Sequence, residues 1–354
     1  MGRPCSSKLS RLNEDFKIDL AKSPALRDAW FSRTAMEGQI EVLKYLLYQH
    51  GADHTPVIEG SYAAIHGAAW CGHKEVVQFL LGTRRIDVNS KDENGMTALS
   101  WAVLGDRQEV VQLLLSTDQV DVNSTGDLGG TPLSYAATHG HKEIARLLLG
   151  MNQINVDSED FMAMTPLRWA AKEGHKEMVR VLLETGQADV NTKSEENGWC
   201  YTALEWAIEN NDEGVARLLL DLGQVENGHL LDALSFAASR SNKKKVLLLL
   251  DTEHFEFNSL AENGGAPLRY AAEGKDEEIV QMLLDAGRLD PNGKDKDGRT
   301  ALHAAARFGR IGNVQLLLKS GRVDINSKDE DGCTPLDLAT KNRHKEVIPL
   351  LHAA

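Results

Sequence analysis

The feature that most constrains this chain is a short segment that recurs every 34 residues. Thr165-Pro-Leu-Arg-Trp-Ala-Ala has a close copy, Thr131-Pro-Leu-Ser-Tyr-Ala-Ala, 34 residues earlier. Thr97-Ala-Leu-Ser-Trp-Ala-Val lies a further 34 residues before that. A fixed period of this length is typical of chains built from stacked structural repeats, in which each unit contacts its neighbours.

Each copy indicates a pair of short helices. Thr165 is a suitable N-cap because its hydroxyl can accept a hydrogen bond from the first turn, and Pro166 suits the first helical position. Gly174 can adopt the positive φ that ends the first helix. A second apolar stripe then runs from Met178 to Leu183. Neither helix can bury its apolar face alone, so we expect neighbouring units to cover it.

The repeats extend over residues 29–354, and residues 1–28 precede them. We expect residues 1–28 to be partly disordered or to form a short helix that caps the first repeat. Ten units align, and their starts lie at positions 29, 63, 97, 131, 165, 202, 232, 266, 300 and 334.

The connections between the units complete the pattern. Three of them carry Asp-Val-Asn, at 87–89, 121–123 and 189–191, and a polar turn with glycine follows, as in 87–95. With Thr-Pro-Leu-Ser-Tyr-Ala-Ala (131–137) and the Gly-His steps, these segments resemble the ankyrin repeat, and the 34-residue period is similar to the long arrays of fungal proteins. The resemblance implies an all-α ankyrin-repeat solenoid of about ten helix-turn-helix units with short β-hairpin-like fingers.

The sixth unit is the main irregularity. The connection before Thr202 is three residues longer than the others, and the unit itself spans only 30 residues. We expect a stunted turn after it, and a hinge there between units one to six and units seven to ten. Asp232 stands where other units have the capping threonine.

Composition excludes several classes of function. The chain has 39 Lys and Arg against 52 Asp and Glu, a net charge of −13, which argues against binding to duplex nucleic acid. It has no run of 18 apolar residues, so no membrane span is expected. The four widely spaced cysteines fit a reducing compartment, the cytoplasm or the nucleus.

The N-terminus matches a lipidation pattern. Met1-Gly-Arg-Pro-Cys-Ser6 has the Met-Gly-x-x-x-Ser form of a myristoylation site at Gly2, and Cys5 offers a second acyl site. The alternative is an unmodified, disordered terminus.

The pattern of histidines and glycine-rich turns does not predict a catalytic or metal site. His73, His141, His175 and His344 share one repeat position, and His66 and His303 share another. The resemblance implies structural roles for both positions, with the second bonding the backbone of an adjacent turn. The spacing of known zinc, calcium and phosphate motifs is absent. We therefore predict a non-enzymatic protein without cofactors.

Aromatic residues occupy the fifth position of six successive first helices. This position lies about 200° from the leucine of the same unit, so it faces the concave side. The rings could form a stripe that binds a ligand or peptide, or they could pack against one another. We call them the aromatic column: Trp101, Tyr135, Trp169, Trp206, Phe236 and Tyr270.

Large side chains that packing does not obviously need supply the remaining candidates. Trp70, Arg307 and Phe308 lie just after the paired alanines, and Trp199 lies in the long connection. Exposed aromatic and arginine side chains are the usual anchors of a protein interface; partial burial against a neighbouring finger is the alternative for each.

Acidic residues are concentrated in the fingers, which favours a protein partner with a basic surface. The predicted function is a monomeric scaffold that binds this partner in its concave groove. The alternative is an accessory or regulatory protein of a fungal biosynthetic or signalling pathway, with a small molecule in the groove. The finger acids are Asp92, Glu93, Asp127, Glu159, Asp160, Glu195, Glu196, Asp295, Asp297, Asp329 and Asp331.

Overall fold

The structure is a computed structural model that describes residues 24–49, 64–83, 86–196, 199–222, 224–252 and 267–354. Within these ranges the chain is a series of short helices in pairs, with one two-stranded hairpin. The predicted all-α ankyrin-repeat fold is confirmed. The chain divides into two compact units, one ending at Ala188 and the other beginning at Asp189.

The first unit contains five helix pairs. The first and second helix of each pair alternate along the chain: α1 (Pro24–Met36), α2 (Ile40–Gln49), α3 (Ala64–Cys71), α4 (Lys74–Gly82), α5 (Ala98–Leu104), α6 (Gln108–Leu115), α7 (Pro132–His139), α8 (Lys142–Leu149), α9 (Pro166–Lys172) and α10 (Lys176–Leu183).

The second unit starts with an antiparallel hairpin and continues with five more pairs. Its elements are β1 (Ser194–Glu196), β2 (Trp199–Tyr201), α11 (Ala203–Glu209), α12 (Glu213–Leu222), α13 (Asn227–Ser239), α14 (Lys243–Leu250), α15 (Pro267–Glu273), α16 (Glu277–Asp285), α17 (Ala301–Arg307), α18 (Ile311–Lys319), α19 (Pro335–Lys341) and α20 (Val347–Ala353).

Neighbouring repeats cover each other's apolar faces within each unit. First helices pack on first helices, as α3 does on α5, and second helices pack on second helices, as α6 does on α8. The alanine pairs of the first helices are completely buried, as at Ala136 and Ala137. Because alanine is small, adjacent first helices approach closely. The leucines that precede the alanine pairs, such as Leu133, are also buried.

Threonine caps begin the first helices as the sequence predicts. The Thr165 hydroxyl accepts a hydrogen bond from the backbone N–H of Arg168, and Pro166 occupies the first turn. Gly174 has a φ of +73° after the helix. The same threonine cap is present at Thr97, Thr131, Thr202, Thr300 and Thr334.

An asparagine that ends an Asp-Val-Asn or Asp-Pro-Asn step joins four of the repeats to the next. The Asn123 Nδ2 donates to the Gln153 carbonyl at 2.6 Å, and its Oδ1 accepts from the Asn155 backbone N–H at 2.8 Å. One side chain therefore satisfies a donor and an acceptor of the following connection. Three further asparagines make the same pair of bonds: Asn89, Asn191 and Asn292.

We expect Asn123→Ala to lower the free energy of unfolding by about 1–3 kcal/mol, because it removes both of these bonds. Asn326→Ala is the matched control, since Asn326 is exposed and its side-chain amide makes no hydrogen bond within the described residues, while its backbone N–H, which the variant keeps, donates to Asp324. The control should stay within about 0.5 kcal/mol of the wild type in urea denaturation. Equal losses in the two variants would contradict the role of the asparagine bridge.

The connection after the sixth repeat is stunted, as predicted, but the seventh repeat differs from the prediction. Helix α13 begins directly after Glu226, so no finger stands before it. Asp232 is therefore not a helix cap, as the sequence suggested, because the helix has already begun at Asn227. Asp232 is buried inside the helix and forms an ion pair of 3.2 Å with the Lys193 ammonium. The division between the two compact units lies one repeat before the expected hinge.

Glu205 is a buried acid at the start of α11. Its Oε2 accepts the Thr202 backbone N–H at 2.7 Å, while the Thr202 hydroxyl accepts the Glu205 N–H, so the two residues form a capping box. Burial raises the pKa of Glu205 to about 7, and Asp232 adds to the rise. The bonds to Thr202 and the charge of Lys193 oppose it.

This raised pKa predicts a pH-dependent stability. Native Glu205 holds its proton up to about pH 7 and the unfolded side chain releases it near 4.5, so the free energy of unfolding falls as the pH rises between these values. The expected loss is about 3 kcal/mol. Glu205→Gln keeps the oxygen that accepts the Thr202 N–H and should lack this fall. Urea denaturation across the range measures it.

Glu93→Gln, which changes an exposed finger carboxylate, is the control and should retain the wild-type pH profile. An identical profile for the wild type and Glu205→Gln would rule out Glu205 as its source.

Candidate functional site

The surface that we call the inner face is formed by the first helices and by the fingers, the turns that precede them. Each regular finger is a four-residue turn that begins with an aspartate or a glycine and ends with a residue of positive φ. The two residues between them form its tip. The described regular fingers span 92–95, 126–129, 160–163, 295–298 and 329–332.

A hollow lies on the inner face of the first unit. It has a volume of about 250 Å³ and is lined by Met36, His66, Gly67, Trp70 and Trp101. Trp70 is 42% exposed, and its ring meets that of Trp101 edge-on at 5.4 Å between centroids. Apolar side chains and a partly exposed indole edge therefore surround a space of the size of one large side chain.

The aromatic column of the first unit is attached to the fingers. The Trp101 indole N–H donates to the Asp92 carboxylate at 2.8 Å, and the Trp169 N–H donates to Asp160 at the same distance. Tyr135 lies between them and, like both tryptophans, is half-buried. Burial raises the pKa of the Tyr135 phenol, and the nearby carboxylates of Asp160, Asp127 and Asp92 add to the rise. Each of the three rings is therefore partly buried and partly at the surface.

The column is packed differently in the second unit. Trp206 is 7% exposed and stacks on Tyr201 at 4.6 Å, and Phe236 meets Tyr201 edge-on. These two members of the column therefore belong to the core. Tyr270 is half-buried beneath the Arg269 guanidinium, which lies 4.0 Å from its ring centroid.

Phe308 and Arg307 are exposed at the end of α17. The guanidinium groups of Arg307 and Arg310 lie 5.6 and 6.0 Å from the centre of the Phe308 ring. Trp199 is placed in β2, but its side chain lies outside the described residues, as do Gly2 and Cys5.

The histidines act as links between repeats. The Nε2 atoms of His73, His175 and His344 each bond a carbonyl at the end of the first helix of the preceding repeat, at 2.8–3.0 Å. Buried His66 and His303 bond the backbone of the next connection at 2.8 and 3.1 Å. The predicted backbone bonds of His66 and His303 are confirmed. Burial lowers the pKa of both side chains, so each is a neutral structural group near neutral pH.

Four of the finger acids are structural residues of the finger. The Asp160 Oδ1 accepts the backbone N–H groups of Met162 and Met164 at 2.9 and 3.0 Å. Asp92, Asp295 and Asp329 also accept backbone bonds within their own fingers. Glu159 pairs with the buried Arg168 guanidinium at 2.6 Å. Fewer finger carboxylates are therefore available to a partner than the sequence alone indicates.

Three exposed apolar side chains were missed by the sequence interpretation. Leu128, Phe161 and Met162 stand at the tips of two adjacent fingers. The signal available in the sequence is their register, since these positions are polar or charged in the other regular fingers.

The described part of the chain has no group of three or more His, Cys, Asp or Glu side chains arranged to hold a metal ion. None of its helices is both long enough and apolar enough to cross a membrane.

Comparison with known families identifies the repeat. A family model described as ankyrin repeats (3 copies) matches residues 65–160, 152–229 and 287–354. Models described as ankyrin repeats (many copies) and ankyrin repeat match residues 32–81 and 263–296. The chain belongs to the ankyrin-repeat family. No curated protein matches it. Ankyrin repeats generally mediate protein–protein interactions, and the fold is typically a non-catalytic scaffold.

We expect Asp160→Ala to lower the free energy of unfolding by about 2–4 kcal/mol, because two backbone N–H groups and the Trp169 indole lose their acceptor. Asp127→Ala, in the adjacent finger, removes an exposed carboxylate and should change stability by less than about 0.5 kcal/mol. Chemical denaturation followed by tryptophan fluorescence measures both. A neutral Asp160→Ala would show that the finger does not depend on this side chain.

Proposed function

We propose that this protein is a non-enzymatic scaffold that binds a partner protein on the inner face of its first unit. The observation that carries the proposal is the exposed Trp70 above the hollow. A large indole that is 42% exposed beside an apolar space offers a partner both an anchor and a pocket. Central aromatic anchors of this kind contribute most of the binding energy at protein interfaces.

The size of the hollow supports a partner side chain over a free small molecule. Small-molecule sites usually have volumes of about 300–1,000 Å³, and this hollow has about 250 Å³. Its lining of Met36, Gly67 and two tryptophans suits an apolar side chain that projects from a larger surface.

The proposal includes a basic partner surface and a monomeric scaffold. Glu93 and Asp127 are exposed on neighbouring fingers of the first unit and would face basic side chains. In the second unit, Arg307 and Phe308 form a separate candidate contact. A cytoplasmic or nuclear location belongs to the same proposal, and the free thiols of Cys71 and Cys333 support it.

An affinity capture with the purified full chain tests this proposal. Proteins that the wild type captures from an extract of its own cells should be depleted about tenfold with Trp70→Ala. Leu222→Ala is the control, because Leu222 is also an exposed apolar residue but lies on a second helix, α12. Higher ionic strength should also reduce capture. If Trp70→Ala captures the same proteins in the same amounts, the inner-face assignment is wrong.

A further inference from the structure

Two adjacent fingers of the first unit carry an exposed apolar patch. Leu128 is 78% exposed, Phe161 80% and Met162 53%. The Phe161 backbone N–H donates to the Leu128 carbonyl at 3.1 Å, so the two finger tips lie side by side. We call these three residues the finger-tip patch. Contiguous apolar surface of this kind on a folded domain marks an interaction site.

Packing does not explain these residues. The equivalent tip positions of the other regular fingers hold polar or charged side chains, although those fingers have the same turn and the same backbone bonds. They are Glu93 and Asn94, Lys296 and Asp297, and Glu330 and Asp331. Within the finger-tip patch the bonds that hold the turn come from Asp160 and the backbone, not from the apolar side chains.

The patch is held in place by the backbone around it. Gly129 has a φ of +80°, and a Cβ added there would lie 2.9 Å from the Phe161 backbone nitrogen and from its ring. Glycine therefore permits the two tips to approach. Ala163 occupies the position that is glycine in neighbouring fingers and has a left-handed φ of +54°. The tip residues are thus presented on a defined turn.

The negative charge around the patch indicates which kind of molecule could bind there. The exposed Asp127 carboxylate lies on one of the two fingers and the exposed Glu93 carboxylate on the finger before it, while the nearby Lys91 ammonium is bonded to the Thr125 carbonyl at 2.8 Å. A second copy of this chain would place its own carboxylates against these carboxylates, which would repel it. An anionic lipid surface would be repelled in the same way. A partner that carries basic side chains beside its apolar anchors meets both features.

We propose that the finger-tip patch docks a basic amphipathic segment of a partner protein. Leucine, isoleucine, methionine or phenylalanine anchors of that segment cover Leu128, Phe161 and Met162, and flanking lysine or arginine side chains face Glu93 and Asp127. This inference rests on the proposed scaffold function and adds a surface, outside the hollow at Trp70, together with the chemistry of its partner.

Selection of displayed random peptides on the full wild-type chain tests the proposal, and the enriched peptides serve as the probes. They should be basic and carry apolar anchors. Their affinity, measured by fluorescence anisotropy, should fall about tenfold or more in the triple variant Leu128→Ser, Phe161→Ser and Met162→Ser. Leu247→Ser, at a residue that is 57% exposed on α14 of the second unit, should bind like the wild type. Phe161→Ser alone, also measured, keeps the test valid if the triple variant fails to fold.

The acidic flank has its own test. The double variant Glu93→Gln and Asp127→Asn should bind the peptides more weakly and show a shallower dependence on ionic strength than the wild type. An unchanged salt dependence would remove these two carboxylates from the contact and overturn the basic character assigned to the partner.

Several results would overturn the proposal. These are no enriched peptide, enriched peptides that are acidic, binding to vesicles of anionic lipid, and a concentration-dependent dimer of the wild type that the triple variant lacks. Peptides or captured proteins that bind the triple variant normally but not Trp70→Ala would refute the finger-tip patch while leaving the scaffold function in place. Failure of the full chain to capture any protein from its own cells would instead refute the scaffold function.

Discussion

The structure depends on apolar burial between neighbouring repeats. A single helix pair exposes leucine, valine and alanine on faces that only the next pair can cover, so burial of Leu133, Ala136 and Ala137 requires the repeats on both sides. Hydrogen bonds also join neighbouring repeats. Asn123 and His175 each reach a backbone group of an adjacent repeat. Stability therefore depends on the contacts between adjacent repeats, and a change at one interface affects first the two repeats that form it.

The residues that stabilise the stacked repeats differ from those that remain exposed on the inner face and finger tips. Small and aliphatic residues fill the layers between helices, and asparagine and histidine side chains complete the backbone bonds. The column aromatics of the first unit remain half-buried, and an aspartate fixes Trp101 and Trp169 to their fingers. Trp70, Phe161 and Met162 are more exposed still. The inner face and finger tips of the first unit thus carry apolar surface that the fold itself does not use.

The repeat, the threonine caps and the backbone bonds of His66 and His303 could be predicted from the sequence, because these features depend on local spacing. The sequence was insufficient at Asp232, where a helix that begins earlier, at Asn227, places the carboxylate in the interior. It also could not assign Trp206, which is buried and stacks on Tyr201 of the hairpin before α11. Leu128 and Phe161 are far apart in the chain, and their contact at the finger tips requires the stacking of repeats. The register of the fingers shows that these positions are apolar where other fingers are polar, but it does not show that the two tips lie side by side.

The most direct test of the account is the hydrogen-exchange footprint of a captured partner on the full chain. We expect slowed exchange of backbone amides in the first helices α3, α5, α7 and α9 and in the fingers between them, with the second helices α4, α6, α8 and α10 unchanged. This pattern would place the partner on the inner face and finger tips. Protection confined to the second helices, or to the second unit alone, would contradict the assignment of binding to surfaces that the stacked repeats leave unused.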